Sequence, residues 1–170
     1  RTLPSVMRGD PKRIKQVLLN ILVNAAKYTK EGSVTLTANA ESISDKRCKI
    51  TVSVADTGIG IKKEVIDRIF DSFSRADGSE INRIEGTGLG LSICKRLMDL
   101  MGGEITVDSI YTKGSVFSIV LEQDIIDGSP IGNIDFLAKK EGEHTKFKHL
   151  FEAPDVRVLV VDDNDASRMV

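Results

Sequence analysis

Apolar residues recur at helical spacing over residues 10–29. Ile14, Val17, Leu18, Ile21, Leu22 and Ala25 share one face at about 100° per residue. Asp10-Pro11 supplies a good start, an N-cap residue followed by proline in the first turn. Asn20, Asn24 and Lys27 share a polar face of the same helix, with Tyr28 at the seam between the two. After Glu31-Gly32 the period changes to two. Val34, Leu36 and Ala38 predict a strand, polar residues 41–47 a hairpin loop, and Ile50, Val52 and Val54 a second strand. This second strand runs into the turn-rich Asp56-Thr57-Gly58-Ile59-Gly60. Lys62 to Phe70 reads as a short helix with Val65, Ile66 and Ile69 inward. Residues 71–86 are polar and carry no period, a length of loop that in compact domains is usually functional or mobile. A helix then starts at Thr87 or Gly88, with Leu89, Ile93, Leu97 and Met101 on one face, and stops at Gly102-Gly103. Ile105 and Val107 predict a third strand. Thr112-Lys113-Gly114 turns the chain into a fourth, Ser115 to Leu121.

Beyond that strand the pattern dissolves. Residues 124–155 hold Gly, Pro, Asp and Lys without a period and read as a linker or loose extension. Val156 to Val161 is a β-branched run that ends in Asp162-Asp163-Asn164, the signature of a buried strand followed by an acidic turn. The expected organisation is one domain over residues 1–123, a linker over 124–155 and the start of a second domain over 156–170. The chain opens on Arg1 without an initiator methionine and reads as a fragment.

Composition narrows the classes. With 24 basic and 25 acidic residues the formal charge is −1, which argues against a nucleic-acid partner, since phosphate binding wants a dense basic face. No apolar run approaches the roughly 18 residues of a membrane span, so no membrane contact is expected. Cys48 and Cys94 lie in segments of different character and make no metal constellation; read as reduced thiols, they predict a cytoplasmic chain.

Three segments carry candidate chemistry. Asp56-x-Gly58-x-Gly60 reads either as a plain turn after a strand or as the floor of a pocket. In the second case the glycines let the backbone pass close to a flat ligand. A carboxylate there that accepts from an exocyclic amine would select adenine over guanine. Gly86-Thr87-Gly88-Leu89-Gly90 precedes a helix, where exposed N–H groups and the helix dipole favour an anion. It is not the Rossmann fingerprint, and no P-loop is present. The amide of Asn24 offers a neutral oxygen of the kind magnesium takes beside phosphates and waters, and Lys27 a point charge one turn on. Each of these residues alone also reads as a solvated helix face.

Their order is what discriminates. N-x-x-x-N-A-x-K-Y, D-x-G-x-G, F-x-x-F (Phe70, Phe73) and G-x-G-x-G follow one another as the N, G1, F and G2 boxes do in the ATP-binding domain of sensor histidine kinases. Residues 4–122 resemble that domain, a relative of Hsp90, type II topoisomerases and MutL. The resemblance implies an α+β fold: a two-layer α/β sandwich of the Bergerat ATP-binding type, with a mixed sheet under three helices. It implies that Asp56 takes the adenine amino group, with Gly58, Gly60 and Ile61 around the base and Tyr28 flanking it. Asn24 would hold Mg²⁺. Asn20 would lie near the phosphates and Lys27 on one of them, the two residues with catalytic roles. Residues 71–87 would form a lid, with Arg75 and Arg83 as phosphate contacts. Thr87, Gly88, Leu89 and Gly90 would give phosphate-facing amides, and Phe70 and Phe73 would anchor the lid in the core. Val158-Leu159-Val160-Val161-Asp162-Asp163-Asn164 resembles the first strand of a response-regulator receiver domain, which implies a hybrid histidine kinase.

The sequence also departs from the family pattern. No histidine precedes the first box, so the phosphoacceptor segment, which also dimerises, is absent. The first strand is expected to be largely truncated. Val116 stands where many relatives carry a threonine near the adenine, and Glu85 where a further glycine is common. The implied reaction is transfer of the ATP γ-phosphoryl to a histidine on a separate segment, with a receiver domain downstream. Full-length, such a protein is membrane-anchored in some cases through other segments. Two alternatives stay open: a conformational ATPase of the Hsp90 or MutL kind, and a nucleotide-binding module without catalysis. The first needs a glutamate on the leading helix, and Ile14 to Tyr28 contains neither Glu nor Asp.

Overall fold

A computed structural model describes residues 3–71 and 89–132. Along the chain it contains β1 (Pro4–Arg8), α1 (Pro11–Tyr28), β2 (Val34–Ser44), β3 (Arg47–Asp56), α2 (Lys63–Ile66), α3 (Gly90–Leu100), β4 (Glu104–Ile110) and β5 (Gly114–Pro130). The first helix begins where its capping residues dictate. The Asp10 carboxylate accepts from the backbone N–H of Lys12 and of Arg13, both at 3.1 Å, and so satisfies two of the orphan donors of the first turn. The apolar stripe goes inward, with Val17, Ile21 and Ala25 buried. The third helix ends at Gly102, whose φ of +68° is left-handed, and the Gly103 N–H closes on the Met98 carbonyl at 2.9 Å.

The strands form one sheet in the order β1-β5-β3-β2, with β4 also on β5. The expected two-layer α/β sandwich is what forms, but every described pairing is antiparallel where a mixed sheet was expected. The helical segment between β3 and β4 does leave those two strands parallel. They never touch, because β5 lies between them and pairs antiparallel with both. Strands β4 and β1 take successive stretches of β5, Gly114–Val120 and Asp124–Pro130.

Strand alternation then sorts the side chains. Ile50, Val52 and Val54 sit opposite Leu121, Ile119 and Phe117, and Ile105 and Val107 opposite Ile119 and Phe117. Of these, Val52, Val54, Ile105, Val107, Phe117, Ile119 and Leu121 pack against the helices and, with Val17, Ile21, Ala25, Cys94 and Met98, make the core. Each large side chain fully buried there contributes about 1.5–3 kcal/mol. The other sheet face is rich in hydroxyls, and Ser53 and Ser118 hydrogen-bond across it at 2.8 Å.

Several boundaries differ from those expected. The hairpin loop at 41–47 shrinks to a turn at Asp45-Lys46, because β2 and β3 stay paired out to Ser44 and Arg47. The helix expected over 62–70 is regular only at Lys63–Ile66. It continues as tight turns that still set Ile69 and Phe70 against the core. Residues 124–130, expected in the linker, are strand. They pair with β1, so a first strand is present at Pro4–Arg8 and the compact unit runs Arg1–Gly132. The remaining linker and the receiver-like segment lie outside the described residues.

Candidate functional site

At the end of the sheet, β3 delivers Asp56 on the helix-facing side. Its Oδ1 accepts the Gly58 N–H at 2.9 Å, which folds the chain into an Asx turn. From there the loop is tied on both sides. The Ile59 N–H donates to the Tyr28 carbonyl at the end of α1 (3.2 Å), and the Ile59 carbonyl accepts from Thr112 in the β4–β5 turn (2.8 Å). The glycines are needed for these ties. A Cβ on Gly58 would stand 2.3 Å from the Tyr28 carbonyl oxygen. One on Gly60, whose φ is +63°, would stand 2.2 Å from the Ile110 carbonyl oxygen. Ile61 is half-buried, and its N–H donates to Ser109 Oγ at 2.8 Å.

The other half of the site comes from the helices. Asn20, Asn24 and Lys27 are half-buried along one side of α1. Asn20 borders the start of α3: its Cγ is 4.0 Å from where a Gly90 Cβ would sit. On α3, the Cys94 thiol donates to the Val17 carbonyl of α1 at 3.8 Å. Burial pushes the Cys94 thiol up, against the lowering effect of Asn20. Among the described residues no side chain caps α3, whose N-cap is Leu89, and leading N–H groups of this kind favour an anion. Lys27 Nζ lies 5.5 Å from the centroid of the Tyr28 ring. Asn20 and Tyr28 are eight residues apart, about 12 Å along the helix. Helix α1 therefore spans the site from the α3 terminus to the Asp56 turn. Arg75, Arg83, Thr87 and Gly88 lie outside the described residues, as does most of the lid.

The donor set suits magnesium of one kind only. Among the described residues no three His, Cys, Asp or Glu side chains cluster as a metal site. Neutral amide oxygens such as that of Asn24 fit an ion that draws its other ligands from phosphates and water.

Register corrects one expectation and adds residues. Val116 pairs with Ala55 and Asp108 on the open face of the sheet, 38% exposed, so it does not approach the site. Ser115 faces the site instead, directly opposite Asp56 and 6% exposed. Strict alternation back from the core residue Phe117 would have found it. Ser115 Oγ lies 3.1 Å from Ser109 Oγ. Thr29 Oγ1, enclosed without a hydrogen-bond partner among the described residues, lies 2.8 Å from the position of that Gly58 Cβ.

This sheet, the box order and the helix terminus define an ATPase domain of a known class. Residues 9–125 match the family described as histidine kinase-, DNA gyrase B- and HSP90-like ATPase, and the chain belongs to it. Within the family its likeness is to histidine kinases. It is 43% identical over 122 residues to the sensor protein GacS of Pseudomonas syringae pv. syringae, covering 72% of this chain and 14% of that protein. It is 34% identical over 187 residues to the sensory/regulatory protein RpfC of Xanthomonas campestris pv. campestris, covering 99% of this chain and 25% of that protein. The crystal structure of full-length ShkA in complex with AMPPNP matches with a TM-score of 0.59 at 34% identity, over 74% of this chain and 24% of that one. The described unit is thus a histidine-kinase catalytic domain of the ATP-binding type, and the chain spans a small part of these relatives. No described helix is long and apolar enough to cross a membrane.

Proposed function

We propose that this chain binds Mg–ATP and donates the γ-phosphoryl group to a histidine on a separate dimerisation segment, in two-component signalling. The observation that carries this reading is the pairing of two ends along α1. At one end the Asp56 carboxylate is held in a tied turn; at the other Asn20 borders the N-terminus of α3. The first suits a base with an exocyclic amine and the second suits phosphates. Asn24 would hold Mg²⁺, which neutralises charge on the phosphates. Asn20, Lys27 and the α3 amides would orient the γ-phosphoryl group. In the transfer, a histidine nitrogen forms a bond to the γ-phosphorus, the bond to the ADP oxygen breaks, and the histidine proton leaves to a base on the partner segment. The receiver-like run at 156–170 makes a hybrid kinase the natural setting, with a receiver aspartate as the next acceptor and the cytoplasm as the compartment. The absence of Glu and Asp from Ile14 to Tyr28 disfavours a water-activating ATPase.

Calorimetric titration with ATP and GTP, with and without Mg²⁺, tests the binding. ATP should bind selectively and depend on Mg²⁺, and Asp56→Asn should weaken ATP about 10- to 100-fold, the worth of a hydrogen bond to a charged group. Labelled γ-phosphate should pass to a supplied histidine-bearing segment. A folded chain that binds no nucleotide overturns the proposal; one that binds but never transfers is a binding module.

A further inference from the structure

We infer that Ser109 fixes the hydrogen-bond polarity of Ser115, and thereby makes the site select a purine with an amino group at its 6-position. The inference rests on the reading of Asp56 as the base-binding carboxylate. It follows from counting protons. A serine hydroxyl has one proton and two lone pairs. Ser109 Oγ lies 2.9 Å from the Gly114 carbonyl oxygen, which can only accept, so the Ser109 proton goes there. The Ile61 N–H, which can only donate, takes one lone pair at 2.8 Å. Ser115 Oγ lies 3.1 Å away, and the one role left to Ser109 in that contact is acceptor. Ser115 therefore donates its only proton to Ser109.

What Ser115 keeps is lone pairs. It stands directly opposite Asp56 in the β3–β5 ladder, on the same face of the sheet. Side chains so placed have Cβ atoms about 4.5–5.5 Å apart. Burial of Ser115 holds this arrangement in place. Beside the carboxylate the site thus has a second group that can accept and cannot donate. A 6-amino group offers two hydrogens to two acceptors, directly or through a water. A 6-carbonyl brings its own lone pairs against both. Ser109 reaches the base only through Ser115, so it is a positioning residue.

Titration of the full 170-residue chain with ATP and with ITP, which carries a 6-carbonyl, tests this. The readout is the ratio of the two Kd values for wild type, Ser109→Ala, Ser109→Thr and Ser115→Ala. Ser109→Ala releases the Ser115 proton, which can then turn to a carbonyl, and the preference for ATP should fall about three- to tenfold. Ser109→Thr keeps the hydroxyl and should keep the wild-type ratio. Ser115→Ala should lower the ratio by a similar factor without removing any bond of Ser109 to Gly114 or Ile61, which covers a Ser109→Ala chain that fails to fold. A purely structural role would weaken both nucleotides together. An unchanged ratio in Ser115→Ala, or in folded Ser109→Ala, overturns the inference and leaves the reading of Asp56 standing. A wild-type chain that does not prefer ATP over ITP overturns that reading, and the inference with it.

Discussion

Replacing Gly58 with alanine separates the two uses a glycine can have in the Asp56 loop. The new Cβ would sit 2.3 Å from the Tyr28 carbonyl oxygen, 2.8 Å from Thr29 Oγ1 and 2.9 Å from Asp56 Oδ1. Ordinary contact begins at 3.4 Å, so the loop must retreat from α1 by about 1 Å. Two of the three neighbours are backbone or turn atoms that cannot swing aside. The Ile59 N–H, now 3.2 Å from the Tyr28 carbonyl, would pass out of hydrogen-bond range. The Gly58 N–H would strain against Asp56 Oδ1, an acceptor that carries charge. Losing the first costs about 1 kcal/mol, and weakening the second about 1.5–3 kcal/mol. Alanine gives back about 0.4–1 kcal/mol by restricting the unfolded chain. The net loss is about 2–3 kcal/mol, and it falls on the protein without nucleotide. Urea unfolding of wild type and Gly58→Ala in the absence of ATP measures it. A variant as stable as wild type that has lost ATP binding would refute the argument, because the glycine would then serve the ligand.

Three further outcomes follow from single features. Thr112 holds a φ of 69°, strained for a β-branched residue, so Thr112→Asn should raise the unfolding free energy by about 1 kcal/mol in the same assay. Thr29→Val removes an enclosed hydroxyl without a partner among the described residues, at nearly constant shape, and should raise the melting temperature by the equivalent of about 1 kcal/mol. Burial raises the Cys94 thiol above its ordinary 9.0, so near and above that pH the folded state holds a proton that the unfolded chain releases. Stability should therefore fall as pH rises from about 9 toward the folded value, and Cys94→Ala should flatten that slope in unfolding measured across the range.

How much of this was legible depended on local signals. Helix α1 was read to within a residue or two of Pro11–Tyr28, because its cap, its proline and its stripe agree. Strand lengths were not. The far end of β2 is exposed on both faces, so Glu41 to Ser44 lack the alternation that marks a half-buried strand. Strand β1 and the tail of β5 are exposed or half-buried over most of their length, and each is strand only because the other is there. In the site, Asp56, Asn20, Asn24 and Lys27 stood out through the order of their boxes. Ser115, Ser109 and Thr29 did not, since a hydroxyl beside a turn is common, and only register and proton counting distinguish these three. Val116, at the position where many relatives carry a threonine near the adenine, lies on the other sheet face, which only register shows.

The pairing of β1 with the end of β5 bears on how the unit is made. Ser5 and Ser129, 124 residues apart, hydrogen-bond at 2.9 Å where those strands meet. A ribosome that has delivered β1 must deliver the helices and the whole β2–β3 hairpin before the partner strand emerges. The hairpin, joined at Asp45-Lys46, can close early. Strand β1 waits until the rest of this unit has been made with its hydrogen-bonding edge unmatched, and contacts so distant in sequence form slowly. The first residues of this unit to be translated are thus among the last to find their place, and a ribosome stalled before residue 124 would hold a chain with a site half assembled and a strand still open to the wrong neighbour.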